Sequence, residues 1–303
     1  MGKLYLTLAF IFAGSSVIAA RFVSTYIPPF AIIFISLAFA SLTAILFRGK
    51  KMFNTVKQLS KEAWIIILLQ AVFGCFLFRV FLTIGLQHIG ATEAGIITGA
   101  TPAVTALLTW IMLRERLSTR TVAGVLITLA GILLVQGFPF EISLDKLQPI
   151  GAILVLCAAA CESLFTILSR KIHVKPHNEA AFPPLDHAGF VSIFAMVLCL
   201  IPTLIEHPWS AVKNLPVIGW FALVWYGCIV TIAAFACMFA GAKQCGGYTI
   251  AAFAGIIPIT STILSVIILK EPINIYQIAG CIFVILATLI ISKQKNHAAQ
   301  LVK

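Results

Sequence analysis

The chain alternates long apolar runs with short polar connections. Each run is about 18–24 residues long, enough to cross the roughly 30 Å hydrocarbon core of a bilayer as a helix. We predict ten such helices, at residues 4–21, 28–47, 63–86, 91–113, 119–138, 149–169, 187–206, 216–240, 248–269 and 274–292. The pattern therefore predicts an all-α integral membrane protein.

An internal repeat divides these runs into two sets of five. Residues 92–133, which begin TEAGIITGATPAV, align without a gap on residues 248–289, which begin YTIAAFAGIIPIT, at an offset of 156. Identical pairs at this offset include Gly99/Gly255, Pro102/Pro258, Glu115/Glu271 and Gly124/Gly280, and upstream Trp64/Trp220. We predict one repeat over residues 1–138, a second over 149–292, and a tail over 293–303.

The basic residues are distributed unequally between the two sides of the predicted membrane. Loops on the side of the amino terminus hold 16 Lys and Arg residues, whereas the opposite loops hold four. Because cytoplasmic loops are enriched in Lys and Arg, both termini are predicted to be cytoplasmic. Five helices per half is an odd number, so the ten transmembrane helices form two inverted five-helix repeats. Such repeats commonly support alternating access around a midplane site.

Composition excludes several classes of protein. The chain is 61% apolar and 10% charged, with a mean hydropathy of +1.06, whereas soluble domains are about 25% charged. The net charge of +11 resides in loops and lacks the interleaved aromatic residues typical of nucleic-acid binding. We therefore expect a lipid bilayer and a small-molecule substrate as partners, no nucleic acid, and a monomer or weak homodimer.

Catalytic and metal-binding motifs are absent from the sequence. It contains no HExxH, GxSxG or aspartate-rich motif, and its eight cysteines form no CxxC pair. The cysteines lie almost entirely in apolar runs, where they are expected to pack as small hydrophobic residues. We expect no enzyme activity, no metal and no cofactor.

Two duplicated motifs carry a family resemblance. Each contains a proline, then a cation followed by glutamate, and then Ala-Gly about eight residues later. They read Pro102…Arg114-Glu115 and Pro258…Lys270-Glu271. Together with ten helices in two inverted sets, they resemble the EamA-type branch of the drug/metabolite transporter superfamily. The resemblance covers essentially the whole chain. It implies a secondary transporter with a cavity between the halves, often an exporter of amino acids or related metabolites. Family members often carry an arginine early in the second helix, where this chain has Ser36.

Two charges lie inside predicted spans, Arg79 and Glu162. An ionisable group near the bilayer centre costs at least about 2.5–3.5 kcal/mol, so it normally faces a cavity or a partner. The duplication mirrors neither charge, since Arg79 aligns with Phe235. This asymmetry favours roles in substrate binding and coupling. The alternative is a structural ion pair between the two, although helix rise places them about 10 Å apart along the membrane normal.

Two prolines are predicted to kink their helices and to line the transport path. Pro102 and Pro258 would free the carbonyls of Thr98 and Ala254, unless packing alone accommodates the kinks. Threonines near the same depth and two aromatic residues extend the candidate site. The candidate substrate-binding residues are Arg79, Glu162, Thr98, Thr101, Pro102, Thr105, Trp225, Tyr226, Pro258 and Thr260.

The duplicated glutamates have a structural role in this interpretation. Glu115 and Glu271 lie at helix ends beside a cation. Each is expected to cap the amino terminus of the following helix or to pair with a neighbouring arginine.

The predicted function is secondary active export of a small polar metabolite, such as an amino acid or a related carboxylate-bearing compound. The protein would reside in the cell inner membrane and work by alternating access, with Glu162 able to couple transport to protons. The alternatives are a passive facilitator and an importer of a metabolite or drug-like amphipathic compound.

The inverted topology can be tested by labelling single cysteines. In a background without the native cysteines, we expect Ser118→Cys to react with an impermeant thiol reagent from the cytoplasmic side. Asn274→Cys should react from the outside, because positive charge places the two loops on opposite faces. Labelling of both positions from one side contradicts the inverted repeat.

Overall fold

The computed structural model describes residues 1–56, 59–113, 118–135, 149–174, 183–245, 250 and 253–292. This part of the chain forms helices and no strands. The helices are α1 Gly2–Val23, α2 Pro29–Val56, α3 Lys61–Gly85, α4 Ala91–Thr98, α5 Thr101–Leu113, α6 Thr119–Val135, α7 Pro149–Val174, α8 Pro184–Glu206, α9 Trp209–Lys213, α10 Val217–Gln244, α11 Ile256–Leu269 and α12 Ile275–Ser292.

Six of the described helices are long and apolar enough to cross a membrane: α1, α2, α3, α7, α8 and α10. Three shorter apolar helices, in α6, α11 and α12, accompany them. Many large apolar side chains are exposed along these helices, as expected where lipid covers the surface. The all-helical, membrane-embedded architecture agrees with the sequence pattern, while the count of ten spans in two inverted sets stays a prediction.

The predicted span 91–113 is two helices rather than one. α4 ends at Thr98, residues 99 and 100 form a turn, and α5 begins at Thr101. The break has a local cause, because Pro102 has no N–H and its ring disfavours helical geometry at the preceding residue. At the turn the Ala100 N–H donates to the carbonyl of Ile97, three residues earlier, at 3.0 Å. An α-helix would instead bond to the carbonyl four residues earlier.

Two of the long helices contain π-helical segments at equivalent positions of the repeat. The segment Ala71–Leu77 lies in α3, and Trp225–Ala233 lies in α10. Adding the repeat offset of 156 to 71 and 77 gives 227 and 233, inside the second segment. π-Helical turns widen a helix and are frequent at functional sites.

The helices α2 and α8 are antiparallel neighbours whose ends are fixed by charged side chains. At one end the Glu206 carboxylate accepts from the backbone N–H of Phe30 and Ala31, at 3.1 and 3.0 Å. A carboxylate at this position neutralises the positive amino terminus of α2. At the other end Arg48 Nε donates to Asp186 Oδ1 at 2.7 Å. These charged contacts therefore join α2 and α8 at both of their ends.

A second carboxylate caps α4. Glu271 accepts from the N–H of Ala91 at 3.1 Å and of Thr92 at 3.0 Å. Glu271 therefore has a structural role, but the expectation that it caps the following helix α12 is wrong, because the helix that it caps belongs to the other half of the sequence. Its counterpart Glu115 lies outside the described residues.

Replacing Arg48 and replacing Asp186 should destabilise the protein to different extents. The Asp186 side chain is fully buried, whereas that of Arg48 is 23% exposed. We expect Arg48→Ala to destabilise the protein by about 3 kcal/mol, because it leaves a buried carboxylate without its cation. Asp186→Asn should cost less, since Arg48 can turn to water.

Thermal unfolding of the detergent-solubilised protein measures this difference. The exposed Lys51→Ala, three residues from Arg48 on α2, is a matched control that should leave the midpoint unchanged. Equal losses for Arg48→Ala and Asp186→Asn would contradict the assignment.

Candidate functional site

Arg79 is buried where the two halves of the chain meet. It follows the π-helical segment of α3, and its side chain is 2% exposed. Its guanidinium donates from Nη1 to the Ser36 hydroxyl of α2 at 2.7 Å and from Nη2 to the Thr231 hydroxyl of α10. The Tyr226 ring of α10 lies 4.0 Å below the guanidinium carbon, in cation–π geometry.

The partners of Arg79 are neutral. A guanidinium has five N–H donors, and the two bonds to hydroxyls leave three without an acceptor among the described residues. Among the described residues no carboxylate forms an ion pair with it. A cation in such a low-dielectric environment attracts an anion more strongly than the same cation in water.

The hydroxyl of Tyr226 adds a second polar group without a partner. Tyr226 is fully buried, and its Oη makes no hydrogen bond within the described part of the chain. A buried hydroxyl left in this state is unfavourable, so such groups normally find a partner. A phenol donor beside a guanidinium is the combination that a carboxylate can satisfy.

Glu162 contacts the turn between α4 and α5. Its Oε2 accepts from the Thr101 hydroxyl at 3.0 Å, and the side chain is half-buried. The next residue, Ser163, donates to the Thr101 carbonyl at 3.2 Å. Thus each interior charge binds a hydroxyl of the opposite half of the sequence, Arg79 at the π-helical segment of α10 and Glu162 at the α4–α5 turn.

The structure corrects two expectations about the interior charges. Gln70 Nε2 of α3 donates to Ser169 Oγ of α7 at 2.9 Å, and further along Gly74 packs against the Phe165 ring. α3 and α7 run antiparallel, and in both contacts the two residue numbers add up to 239. Arg79 therefore lies at the level of residue 160 of α7. Glu162 is two residues away, about 3 Å along the axis. The predicted 10 Å separation was therefore wrong. The alternative of an Arg79–Glu162 ion pair is also wrong, since each side chain has a different partner.

The carbonyl freed by Pro102 has a hydroxyl partner. The Thr101 hydroxyl, which also faces Glu162, lies 2.7 Å from the Thr98 carbonyl oxygen and can donate to it, and the Thr98 hydroxyl donates to the Gly95 carbonyl at 2.8 Å. The sequence predicted the freed carbonyl but not the side chain that satisfies it.

The α4–α5 turn crosses α11 closely. A Cβ added to Gly99 would lie 2.8 Å from Cγ of Pro258, and one added to Gly95 would lie 2.1 Å from Oγ of Ser261. Glycine permits this approach because it has no side chain. The segments that carry the two predicted kinks therefore meet each other.

The remaining candidates are more dispersed. Trp225 is 45% exposed, and its indole N–H donates to the Ser15 hydroxyl at 3.0 Å. Thr105 and Thr260 are half-buried, and Thr260 packs against Gly14 of α1. No described hydrogen bond joins these residues to the Arg79 group.

Sequence reasoning missed the hydroxyls that hold Arg79. For Ser36 the available signal is the family resemblance, which implies an arginine early in the second helix where this chain has a serine. Thr231 gave no signal, because one threonine in an apolar run does not reveal the direction of its side chain.

A buried polar cluster lies closer to the Asp186 end of the bundle. His187 is stacked on Phe239, with ring centroids 3.9 Å apart, and its Nε2 lies 2.6 Å from Oε1 of Gln70. Through the bond from Gln70 to Ser169, this cluster links α3, α7 and α8.

A helical membrane protein with two interior charges and a broken helix has the features of a transporter. The EamA-like transporter family matches residues 1–136 and 149–293, so the chain belongs to that family. It is 29% identical to the uncharacterized transporter YetK of Bacillus subtilis (strain 168), over 92% of this chain and 83% of YetK. It is 23% identical to an uncharacterized transporter of Archaeoglobus fulgidus, over 96% and 98% of the two chains.

The fold also matches a solved structure. A crystal structure titled only "Crystal structure of protein" aligns with a TM-score of 0.63 and 18% sequence identity, covering 95% of both chains. At this identity the likeness concerns the fold alone.

The crossing of α4 and α11 should not tolerate a methyl group. We expect Gly95→Ala to destabilise the protein by about 1–3 kcal/mol, because the new Cβ overlaps Ser261. Ser261→Gly in the same protein should restore part of the loss, because it removes both the Oγ and the Cβ that the new Cβ would meet at 2.1 and 2.4 Å. Gly49→Ala on α2 is the matched control, since its Cβ would meet Ile45 at an ordinary 3.5 Å. Equal thermal midpoints for Gly95→Ala and Gly49→Ala would contradict the close crossing.

Proposed function

We propose that the protein is a secondary active transporter that exports a small polar metabolite carrying a carboxylate, by alternating access and with proton coupling. Membership of the EamA-like transporter family supports transport. The observation that carries the substrate class is Arg79, a buried cation bonded to two neutral hydroxyls beside a phenol that has no partner in the described part of the chain. A carboxylate would supply both the missing charge and the missing acceptor.

The proposed architecture is ten helices in two inverted five-helix repeats. α1 ends where Arg21 donates to the Leu86 carbonyl, just beyond α3. α7 begins at this same end, because Gly151 packs against His88 and Ile89. The first helices of the two halves therefore start at opposite ends of the bundle, as an inverted repeat requires. The π-helical segments at equivalent positions of α3 and α10 support the repeat itself.

In the proposed mechanism, the substrate and the proton compete with bonds between the halves. A substrate carboxylate bound to Arg79 and Tyr226 would offer the guanidinium a stronger acceptor than the Thr231 hydroxyl. Hydrogen bonds between two ions are stronger than those between an ion and a neutral group. Proton binding at Glu162 would likewise change its bond to Thr101. Either event alters a contact between the two halves, which is the requirement for alternating access.

The surroundings follow from the same proposal. The protein would lie in the cell membrane as a monomer or weak homodimer, with both termini in the cytoplasm. Substrate would enter from the cytoplasmic side and leave outside, driven by the inward proton gradient.

Proteoliposome flux tests the proposal with a panel of amino acids and related carboxylates, each paired with its neutral amide. We expect the acids and not the amides to move, and a pH gradient to accelerate them. Arg79→Gln should lower carboxylate flux at least about tenfold, the loss expected for a charge-assisted bond. Arg120→Gln, which changes an exposed cation at the start of α6, is the matched control.

The outcomes separate the alternatives. Flux that does not change with the pH gradient would indicate a facilitator. Gradient-driven accumulation only towards the cytoplasmic side would indicate an importer. Equal flux of acids and amides, or undiminished carboxylate flux in Arg79→Gln, would overturn the proposed carboxylate site.

A further inference from the structure

The hydroxyl of Thr101 faces two acceptors but has one hydrogen to donate. Its Oγ1 lies 2.7 Å from the Thr98 carbonyl and 3.0 Å from Glu162 Oε2. A threonine hydroxyl carries a single O–H and can accept through its lone pairs. Which acceptor receives that hydrogen therefore depends on the protonation state of Glu162.

The Thr98 carbonyl depends on this hydrogen to an unusual degree. In an unbroken helix the N–H of residue 102 would donate to it, but Pro102 has no N–H. When Glu162 is ionised, its charge draws the Thr101 hydrogen, because hydrogen bonds to charged acceptors are the stronger ones. The Thr98 carbonyl then loses its donor.

Protonation of Glu162 reverses this arrangement. The carboxyl O–H donates to Thr101 Oγ1, and the Thr101 O–H is then available to the Thr98 carbonyl. The chain from Glu162 through Thr101 to Thr98 is complete, and each group in it is satisfied. One proton is bound from water and the same proton is later released, with no other bond formed or broken.

We infer that Thr101 is a positioning residue that relays proton binding at Glu162 to the α4–α5 turn. This inference rests on the proposed proton coupling and gives it a structural route. The turn touches the other half of the sequence, where Gly99 packs against Pro258 and Gly95 against Ser261. Loss of a hydrogen bond at the turn loosens the segment through which the halves contact each other.

None of the other described charges near α7 forms a described side-chain bond with the Glu162 carboxylate. Charged or titratable side chains are present on α3, α4 and α10, which pack against α7, and on α7 itself. Among the described side chains they are Lys61, Glu62, Cys75, Arg79, Glu93, Cys157, Cys161, Tyr226, Cys228, Cys237 and Lys243. The described side-chain bond of the Glu162 carboxylate is the one to Thr101.

Hydrogen–deuterium exchange of the purified protein in nanodiscs tests the relay without any substrate. Exchange of the peptide covering residues 95–104 is measured over a series from acid to alkaline pH and corrected for intrinsic rates. We expect this peptide to open about fivefold more readily when Glu162 is ionised, the change that one net hydrogen bond confers. Peptides from α12 should show no such step.

Three variants separate the relay from a general pH effect. Glu162→Gln should keep the turn protected at every pH, because the amide N–H donates to Thr101 permanently. Thr101→Val should abolish the pH step by removing the hydroxyl, while Thr101→Ser should retain it. Pro102→Ala should also abolish the step, since the new N–H can donate to the Thr98 carbonyl whatever the state of Glu162.

Ser163→Ala is the matched control. The Ser163 hydroxyl lies within hydrogen-bond distance of the Thr101 and Ala159 carbonyls but outside the relay, so its removal should leave the pH step intact. Should Thr101→Val not fold, Pro102→Ala still decides the question. A pH step that persists in Pro102→Ala, or is missing from the unmodified protein, overturns the inference.

Flux measurements distinguish failure of the relay from failure of the proposed function. A pH step that follows these variants, in a protein that moves no carboxylate, supports the relay and contradicts the substrate proposal. Proton-driven carboxylate flux with unchanged pH dependence in Thr101→Val and Pro102→Ala overturns the relay and leaves the transporter standing.

Discussion

A charge or an unbonded backbone group inside a membrane must find a partner, and this requirement shapes the centre of the protein. No water is available in the hydrocarbon core, so each such group costs several kcal/mol when left alone. Here each interior charge has a partner from the opposite half of the sequence, and Arg79 also binds Ser36 of its own half. Arg79 binds Thr231, and Glu162 binds Thr101. The groups suited to bind a substrate or a proton are therefore also the groups that join the halves.

The contacts at the ends of the helices differ in kind from those at the centre. Glu206 and Glu271, both from the second half, accept pairs of backbone N–H groups from the first half. Arg48 and Asp186 form an ion pair at the opposite end of α2. Each of these contacts places a full charge against an opposite charge or against the positive amino terminus of a helix. The central charges instead have neutral hydroxyl partners, which a competing ion can displace at lower cost. The ends are thus suited to hold the bundle, and the centre is suited to exchange partners.

The sequence predicted the apolar helices, the duplication, the two interior charges and the carbonyl freed by Pro102. These follow from composition, from alignment and from the missing proline N–H, and need no knowledge of helix rotation. The π-helical segments, the partners of the charges and the relative depth of Arg79 and Glu162 do depend on rotation and register. A run that is apolar on every face carries no such information. The depth estimate failed because it assumed that both helices are centred at the same depth, whereas α7 begins at Pro149, about five residues beyond the level at which α3 ends.

The break of symmetry at Arg79 explains why the duplication yields one charged site and not two. The equivalent residue, Phe235, stacks on Phe165 with ring centroids 4.8 Å apart. Phe165 in turn fills the space beside Gly74 in the π-helical segment that precedes Arg79. Aromatic packing thus occupies the position where a second cation would lie. Two such cations would repel each other in a low dielectric, and neither has a described carboxylate to offset it. Duplication supplies paired π-helical segments in α3 and α10, but electrostatics favours a single cation beside them.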